Sequence, residues 1–114
     1  TRMELDAREV AGVTVISVHA ERIDAAAAIR FKDAMRAAIP GGPRRIVLDL
    51  GAVDFIDSSG LGAIVSVMKG LAEGQRLDLA ALQPKVDKVF RLTRMDSVFA
   101  IHADLDRALG HHAI

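Results

Sequence analysis

Residues 44–72 read RRIVLDLGAVDFIDSSGLGAIVSVMKGLA, and they decide the fold class of this chain. The first seven, Arg44–Leu50, predict a buried strand, because their centre is a continuous apolar run. A helix is predicted from Ser58 to about Ala72, since apolar residues recur there at the spacing of one helix face: Leu61, Ile64, Val65 and Met68. A short loop separates the two. A strand that leads directly into a helix is the repeating unit of an α/β fold.

Strands and helices also alternate on both sides of this stretch. Towards the C-terminus the pattern predicts, in order, a strand over 76–82, a helix over 84–93, a strand over 98–101 and a helix over 104–109. Towards the N-terminus it predicts strands over 3–8 and 13–18, and a helix that follows an N-cap at Asp24 and ends at Ile39. The order ββαβαβαβα predicts an α/β fold with a mixed sheet, in which an N-terminal antiparallel hairpin is followed by alternating helices and parallel strands.

Composition narrows the classes of function that the chain can have. Its 114 residues carry 15 basic and 15 acidic side chains, so the net charge is zero and nucleic-acid binding is not expected. No cysteine is present, which excludes thiolate catalysis, thiolate metal sites and disulfides and is typical of a reducing cytoplasm. Neither a signal peptide nor a long apolar run is visible, so we expect a cytoplasmic protein with no membrane partner. A single domain is predicted over 3–110, with 1–2 interpreted as a cloning remnant and 111–114 as a tail.

The start of the helix at Ser58 is the most informative site in the sequence. Free N–H groups and the positive end of the helix dipole favour an anionic group there, although Asp57 or Ser58 could also serve simply as the N-cap. Gly60 and Gly62 lie in the first turn, where each costs up to about 1 kcal/mol relative to alanine. We interpret the missing side chains as room for another molecule beside the hydroxyl groups.

Two apolar residues, Phe55 and Ile56, lie on the predicted loop before this helix. They could form a contact patch at the surface, or either could point inward and close the core. Loops that follow parallel strands share one edge of a sheet, so Asp24 and Ser59 can be neighbours although they are far apart in the chain. The sequence leaves both orientations of Phe55 and Ile56 open.

Enzymatic activity finds little support in the sequence. A nucleophile elbow of the Gly-x-Ser-x-Gly type would need a glycine where Ile56 stands. The four histidines lie at strand ends or in the C-terminal tail, and neither a Walker A loop nor a two-histidine metal motif is present. A receiver domain with a phosphorylated aspartate at Asp49 or Asp54 does not fit a chain that begins with a hairpin. We therefore expect no catalysis, no cofactor and no metal.

Residues 54–62, DFIDSSGLG, closely resemble the signature of STAS domains, in particular of bacterial anti-sigma-factor antagonists. Two further segments also resemble the family, and they occur in the same order along the chain as they do in the family. Ile23–Ala26 resembles the leucine-aspartate opening of the first helix, and Leu92–Phe99 resembles the segment that joins the third helix to the last strand. One departure is Glu21, where the family often has glycine, and it bears on local loop shape and on which partner is bound.

The resemblance implies a partner-switching mechanism. The unmodified antagonist binds a serine-kinase anti-sigma factor and releases its client; phosphorylation of one serine breaks the complex, and a metal-dependent serine phosphatase restores it. By its place in the motif, Ser59 matches the phospho-acceptor. The residues implied to surround it are Asp24, Asp57, Ser58 and Gly60, and those implied to bind the partner are Asp54, Phe55, Ile56, Leu61 and Gly62.

The alternative is a STAS scaffold subunit of a transporter or sensory complex that is never phosphorylated. Monomer and weak dimer both stay open.

Overall fold

The computed structural model describes residues 3–110, and its main sheet begins with the predicted hairpin. Strand β1 (Leu5–Val10) pairs antiparallel with β2 (Val13–Val18). The two residues that join them, Ala11 and Gly12, have φ of 52° and 80°. Positive φ at both central residues is the geometry of the tight hairpin turn that matches the twist of the strands. The hairpin therefore forms one edge of the sheet.

The remaining strands of the main sheet run parallel to β2, as the alternation of strands and helices predicts. After the hairpin the elements are, in chain order, β3 (Arg22–Ile23), α1 (Ala28–Ala38), β4 (Arg44–Asp49), β5 (Phe55–Ile56), α2 (Ser58–Lys69), β6 (Gln75–Ala80), α3 (Pro84–Leu92), a short 3₁₀ helix (Met95–Ser97), β7 (Ile101–His102) and α4 (Leu105–Ala108). The strand order in the main sheet is β1-β2-β4-β6-β7. The predicted mixed α/β fold is confirmed. None of the helices within residues 3–110 has both the length and the apolar character that a membrane crossing requires.

The core lies between one face of the sheet and the first three helices. Phe31 of α1, Ile64 of α2 and Phe90 of α3 are fully buried in one apolar cluster with the side chains of β2, β4 and β6 that face them. A second, smaller cluster on the opposite face contains Val47 and Ala80, covered by Ala108 of α4. The helices are thus positioned by burial of their apolar faces on a shared sheet.

A buried carboxylate, Asp78, forms a charged cluster on the α4 side of the sheet. It pairs with Arg45 at 2.7 Å, with Arg76 at 2.8 Å and with the ring of His102 at 3.2 Å. Burial raises the pKa of Asp78, but hydrogen bonds from Arg76, Arg45 and His102 outweigh it and hold the pKa below its ordinary value. This network gives His102 a structural contact in the sheet.

The structure departs from the sequence prediction in three main ways. The first helix begins at Ala28 rather than directly after Asp24. The strand predicted over 98–101 is instead the two-residue strand Ile101–His102, which shares only Ile101 with the predicted range. The third difference is an additional two-stranded sheet, in which β3 and β5 pair in parallel where only loops were expected. Strands of two residues carry no periodic signal, so the sequence pattern could not predict them.

Candidate functional site

The β3–β5 pair holds the beginnings of α1 and α2 side by side. Ile23 is paired with Ile56, and the carbonyl oxygen of Glu21 accepts hydrogen bonds from the backbone N–H groups of Asp54 and Phe55 at 2.8 and 3.2 Å. Because both strands run in the same direction, the residues that follow them emerge at the same edge. The segment after Asp24 is thereby brought beside the segment that carries Ser59.

Asp57 links these two segments through hydrogen bonds of its side chain. Its Oδ1 accepts a hydrogen bond from the backbone N–H of Gly60 at 2.9 Å, so Asp57 is the N-cap of α2, as its residue type predicts. Its Oδ2 accepts a second bond, at 3.1 Å, from the N–H of Ala25. One carboxylate therefore caps α2 and also holds the turn that precedes α1.

Asp24 is not the N-cap of α1, contrary to the sequence prediction. It initiates a turn instead, in which its Oδ1 accepts from the N–H of Ala27 at 3.2 Å, and α1 begins after that turn with no side-chain cap. The side chain of Arg22 donates to Oδ2 at 3.2 Å, and this bond is the main reason that the pKa of Asp24 is lowered from its ordinary value. An aspartate can cap a turn as readily as a helix, because both offer unpaired N–H groups.

Arg22 is a residue of the site that the sequence analysis did not identify. Its guanidinium carbon lies 3.9 Å from the centre of the Phe55 ring, while the same side chain pairs with Asp24. It therefore connects the aromatic residue of β5 to the turn before α1. The only signal that could have revealed it is the pairing of β3 with β5, which the sequence pattern does not show.

The two glycines of the first turn of α2 differ in their surroundings. A Cβ on Gly60 would lie 1.9 Å from the carbonyl oxygen of Ile23, so this residue must lack a side chain for α2 to pack on β3. The interpretation that Gly60 makes room for another molecule is therefore wrong, since the space belongs to the chain itself. A Cβ on Gly62 would meet nothing within 4 Å. Only Gly62 leaves open space at the surface.

The apolar residues of the site also differ in their exposure to solvent. Ile56 is 5% exposed and belongs to the core, whereas Phe55 is half-buried and reaches the surface beneath Arg22. Leu61 is half-buried and packs against the core from α2. Of the two orientations that the sequence left open, the inward one thus applies to Ile56. Phe55 is the aromatic residue available for contact with another molecule.

Ser58 and Ser59 are both exposed at the beginning of α2. Within residues 3–110, neither hydroxyl forms a hydrogen bond, and the backbone N–H groups of the two serines find no acceptor. No group of three histidine, aspartate or glutamate side chains able to hold a metal ion occurs in that range either. Unpaired N–H groups beside an exposed hydroxyl can accommodate a negative charge on that hydroxyl. The chemistry available at the site is modification or recognition of a serine.

We expect Asp57→Ala to lower the free energy of unfolding by about 1–2 kcal/mol, because the substitution removes the cap of α2 and the bond to Ala25 together. Urea unfolding followed by circular dichroism measures this change. Asp54→Ala is the matched control, since the Asp54 side chain has no hydrogen bond to another described residue. Equal losses in both variants would contradict a specific structural contribution of Asp57.

Comparison with known proteins gives consistent matches along the chain. The family model for the STAS domain matches residues 4–108. The chain is 36% identical over 80 residues to BtrV of Bordetella bronchiseptica, whose name places it among anti-sigma factor antagonists, and the match covers 69% of each sequence. It is 26% identical over 98 residues to the anti-sigma-F factor antagonist RsfB of Mycobacterium tuberculosis, covering 86% of this chain and 80% of RsfB. The crystal structure of an anti-sigma factor antagonist from Mycobacterium paratuberculosis superposes with a TM-score of 0.84 at 29% identity, covering 95% of this chain and 92% of that one.

Proposed function

The chain belongs to the STAS domain family, and on that premise we propose that it is an anti-sigma factor antagonist that acts by partner switching. In its unmodified form it binds a serine-kinase anti-sigma factor, which then releases its client. The kinase transfers the γ-phosphoryl group of ATP to the Oγ of Ser59, so that an Oγ–P bond forms and ADP leaves. The complex then dissociates, and a metal-dependent serine phosphatase hydrolyses the phosphate to restore binding.

The observation that carries this proposal is the setting of Ser59. Its hydroxyl is exposed in the first turn of α2, where unpaired N–H groups and the helix dipole favour negative charge. A phosphate adds about 1.5–2 negative charges and three strong acceptor oxygens, and the fold can tolerate them at this position. A close-fitting partner surface cannot, because it would bury that charge without a counter-ion. The switch therefore acts at the interface and does not require unfolding.

The surface proposed for the partner surrounds Ser59 on the edge formed by the starts of α1 and α2. Phe55 and Leu61 supply apolar contacts, Gly62 leaves space for the partner's backbone, and Asp24 lies on the neighbouring turn. Asp57 and Gly60 contribute indirectly, since they fix the two helix starts relative to each other. In this proposal the chain is a substrate and binding module, with no catalytic activity of its own.

The partners can be identified by capturing them on the immobilised unmodified chain from the cytoplasm of the source organism. Mass spectrometry of the eluate should identify an ATP-binding serine kinase, and mass spectrometry of the endogenous chain should find phosphate on the peptide that contains Ser58 and Ser59. Recovery of a transporter or sensory complex, together with an unmodified peptide, would instead support the scaffold alternative.

We expect Ser59, and not Ser58, to accept the phosphate. Incubation of the unmodified chain with the captured kinase and ATP should add one phosphate group, measured as a mass increase of the intact protein. Ser59→Ala should abolish the addition, and Ser58→Ala, which removes the neighbouring exposed hydroxyl from the same helix turn, should retain it. Phosphate on Ser58 of the unaltered chain would contradict the assignment.

A further inference from the structure

A groove of about 330 Å³ lies between β5 and α3, beside the surface proposed for the partner. It is lined by Asp54, Phe55, Ile56, Lys85, Lys88 and Val89. Three of these residues precede α2 in the chain, and the other three come from α3, which the sequence analysis did not connect with function. The groove therefore extends the surface around Phe55 onto a second helix.

The two lysines of the groove are both exposed on α3. Lys85 lies directly after Pro84 in the first turn of α3, where a positive charge opposes the helix dipole. Within residues 3–110 neither Lys85 nor Lys88 forms an ion pair, whereas Arg91 on the same helix pairs with Asp87 at 2.9 Å. Lys85 therefore gains neither an ion pair nor a favourable interaction with the dipole of α3.

Charge and shape together indicate what the groove can bind. Apolar surface is supplied by Phe55 and Val89, and Lys85 and Lys88 place two ammonium groups on the α3 side. Asp54 is the only carboxylate in the lining, so the groove has an excess of one positive charge although the whole chain has none. An extended segment with an apolar side chain next to an acidic one is complementary to this arrangement.

We propose that this groove binds an acidic segment of the serine-kinase anti-sigma factor, with an apolar side chain on Phe55 and Val89 and a carboxylate between Lys85 and Lys88. The proposal rests on the proposed function, because the groove is continuous with the Phe55 surface assigned to that partner. It adds α3 to the interface, and it predicts an electrostatic contribution that does not depend on the phosphorylation state of Ser59. Binding should accordingly weaken as salt screens the two lysines.

The test compares two charge-reversed variants in binding to the purified kinase anti-sigma factor, measured by biolayer interferometry with the unphosphorylated chain. Lys85→Glu combined with Lys88→Glu should weaken binding roughly tenfold or more at about 0.05 M NaCl, and the loss should shrink at about 0.5 M. Both positions are exposed on α3, and glutamate at position 85 is favoured in the first turn, so this variant should fold. The control, Lys69→Glu combined with Arg107→Glu, makes the same change in net charge outside the groove and should alter binding by less than about twofold.

The outcomes separate this inference from the proposed function. Absence of binding by the unaltered chain would overturn the proposed function and, with it, the inference. Normal binding by both the unaltered chain and the Lys85/Lys88 variant would overturn the inference alone. If that variant bound the kinase normally but lost dephosphorylation by the phosphatase, the groove would belong to the phosphatase and not to the anti-sigma factor.

Discussion

Ser59→Glu is expected to weaken binding to the serine-kinase anti-sigma factor by roughly a hundredfold or more, while the melting temperature changes by only a few degrees. The loss arises because a carboxylate at this position would be buried against the partner without a counter-ion. The fold should tolerate it, since the side chain is exposed in the first turn of α2, where negative charge is favoured. Isothermal titration calorimetry measures the binding, and differential scanning calorimetry measures the melting temperature.

Two control variants test whether the loss of binding is caused by negative charge at the proposed interface. Ser59→Ala removes the hydroxyl without adding charge and should bind as the unaltered chain does. Ser97→Glu adds the same charge to an exposed serine on the 3₁₀ helix and should also bind normally. If Ser59→Glu bound tightly, the enzymatically phosphorylated chain would be measured next. Tight binding of that form as well would place the interface elsewhere, whereas its loss would show that a carboxylate is a poor substitute for phosphate.

Gly60→Ala should be the most destabilising single-methyl substitution in the site. We expect it to lower the free energy of unfolding by about 3 kcal/mol, because the new Cβ would lie 1.9 Å from the backbone oxygen of Ile23. A backbone carbonyl in a paired strand cannot move aside as a flexible side chain can. Either α2 shifts away and loses the bond from the Gly60 N–H to Asp57, or β3 separates from β5. The melting temperature should fall by on the order of 15 °C, measured by circular dichroism.

Gly62→Ala is the matched control for this substitution. It adds the same methyl group two residues further along α2, where nothing lies within 4 Å. Alanine is favoured over glycine in a helix by up to about 1 kcal/mol, so this variant should be as stable as the unaltered chain or slightly more stable. Similar losses in the two variants would contradict the conclusion that Gly60 is required by the contact between α2 and β3.

Much of the fold follows from patterns that are local in the sequence. The apolar spacing on α2 and the β-branched run of β2 predict their elements, because each pattern is complete within a few consecutive residues. An N-cap was expected at Asp57 or Ser58, because both residue types satisfy the free N–H groups of a helix start in almost any setting, and the structure shows that it is Asp57. The motif DFIDSSGLG was sufficient for the resemblance to STAS domains, and the matches to the family model and to the antagonist structure confirm it.

The sequence by itself determined the order of the helices and of the strands of the main sheet, the family and the position of Ser59 at a helix start. Tertiary structure decided which neighbouring residues face the core and which remain accessible at the surface. Ile56 points inward and Phe55 lies under Arg22 because β5 pairs with β3, and Gly60 is required because α2 packs on that same strand. Lys85 and Lys88 border Phe55 only because α3 packs against β5. These contacts join residues far apart in the chain, so their energies depend on the folded arrangement and leave no periodic trace in the sequence.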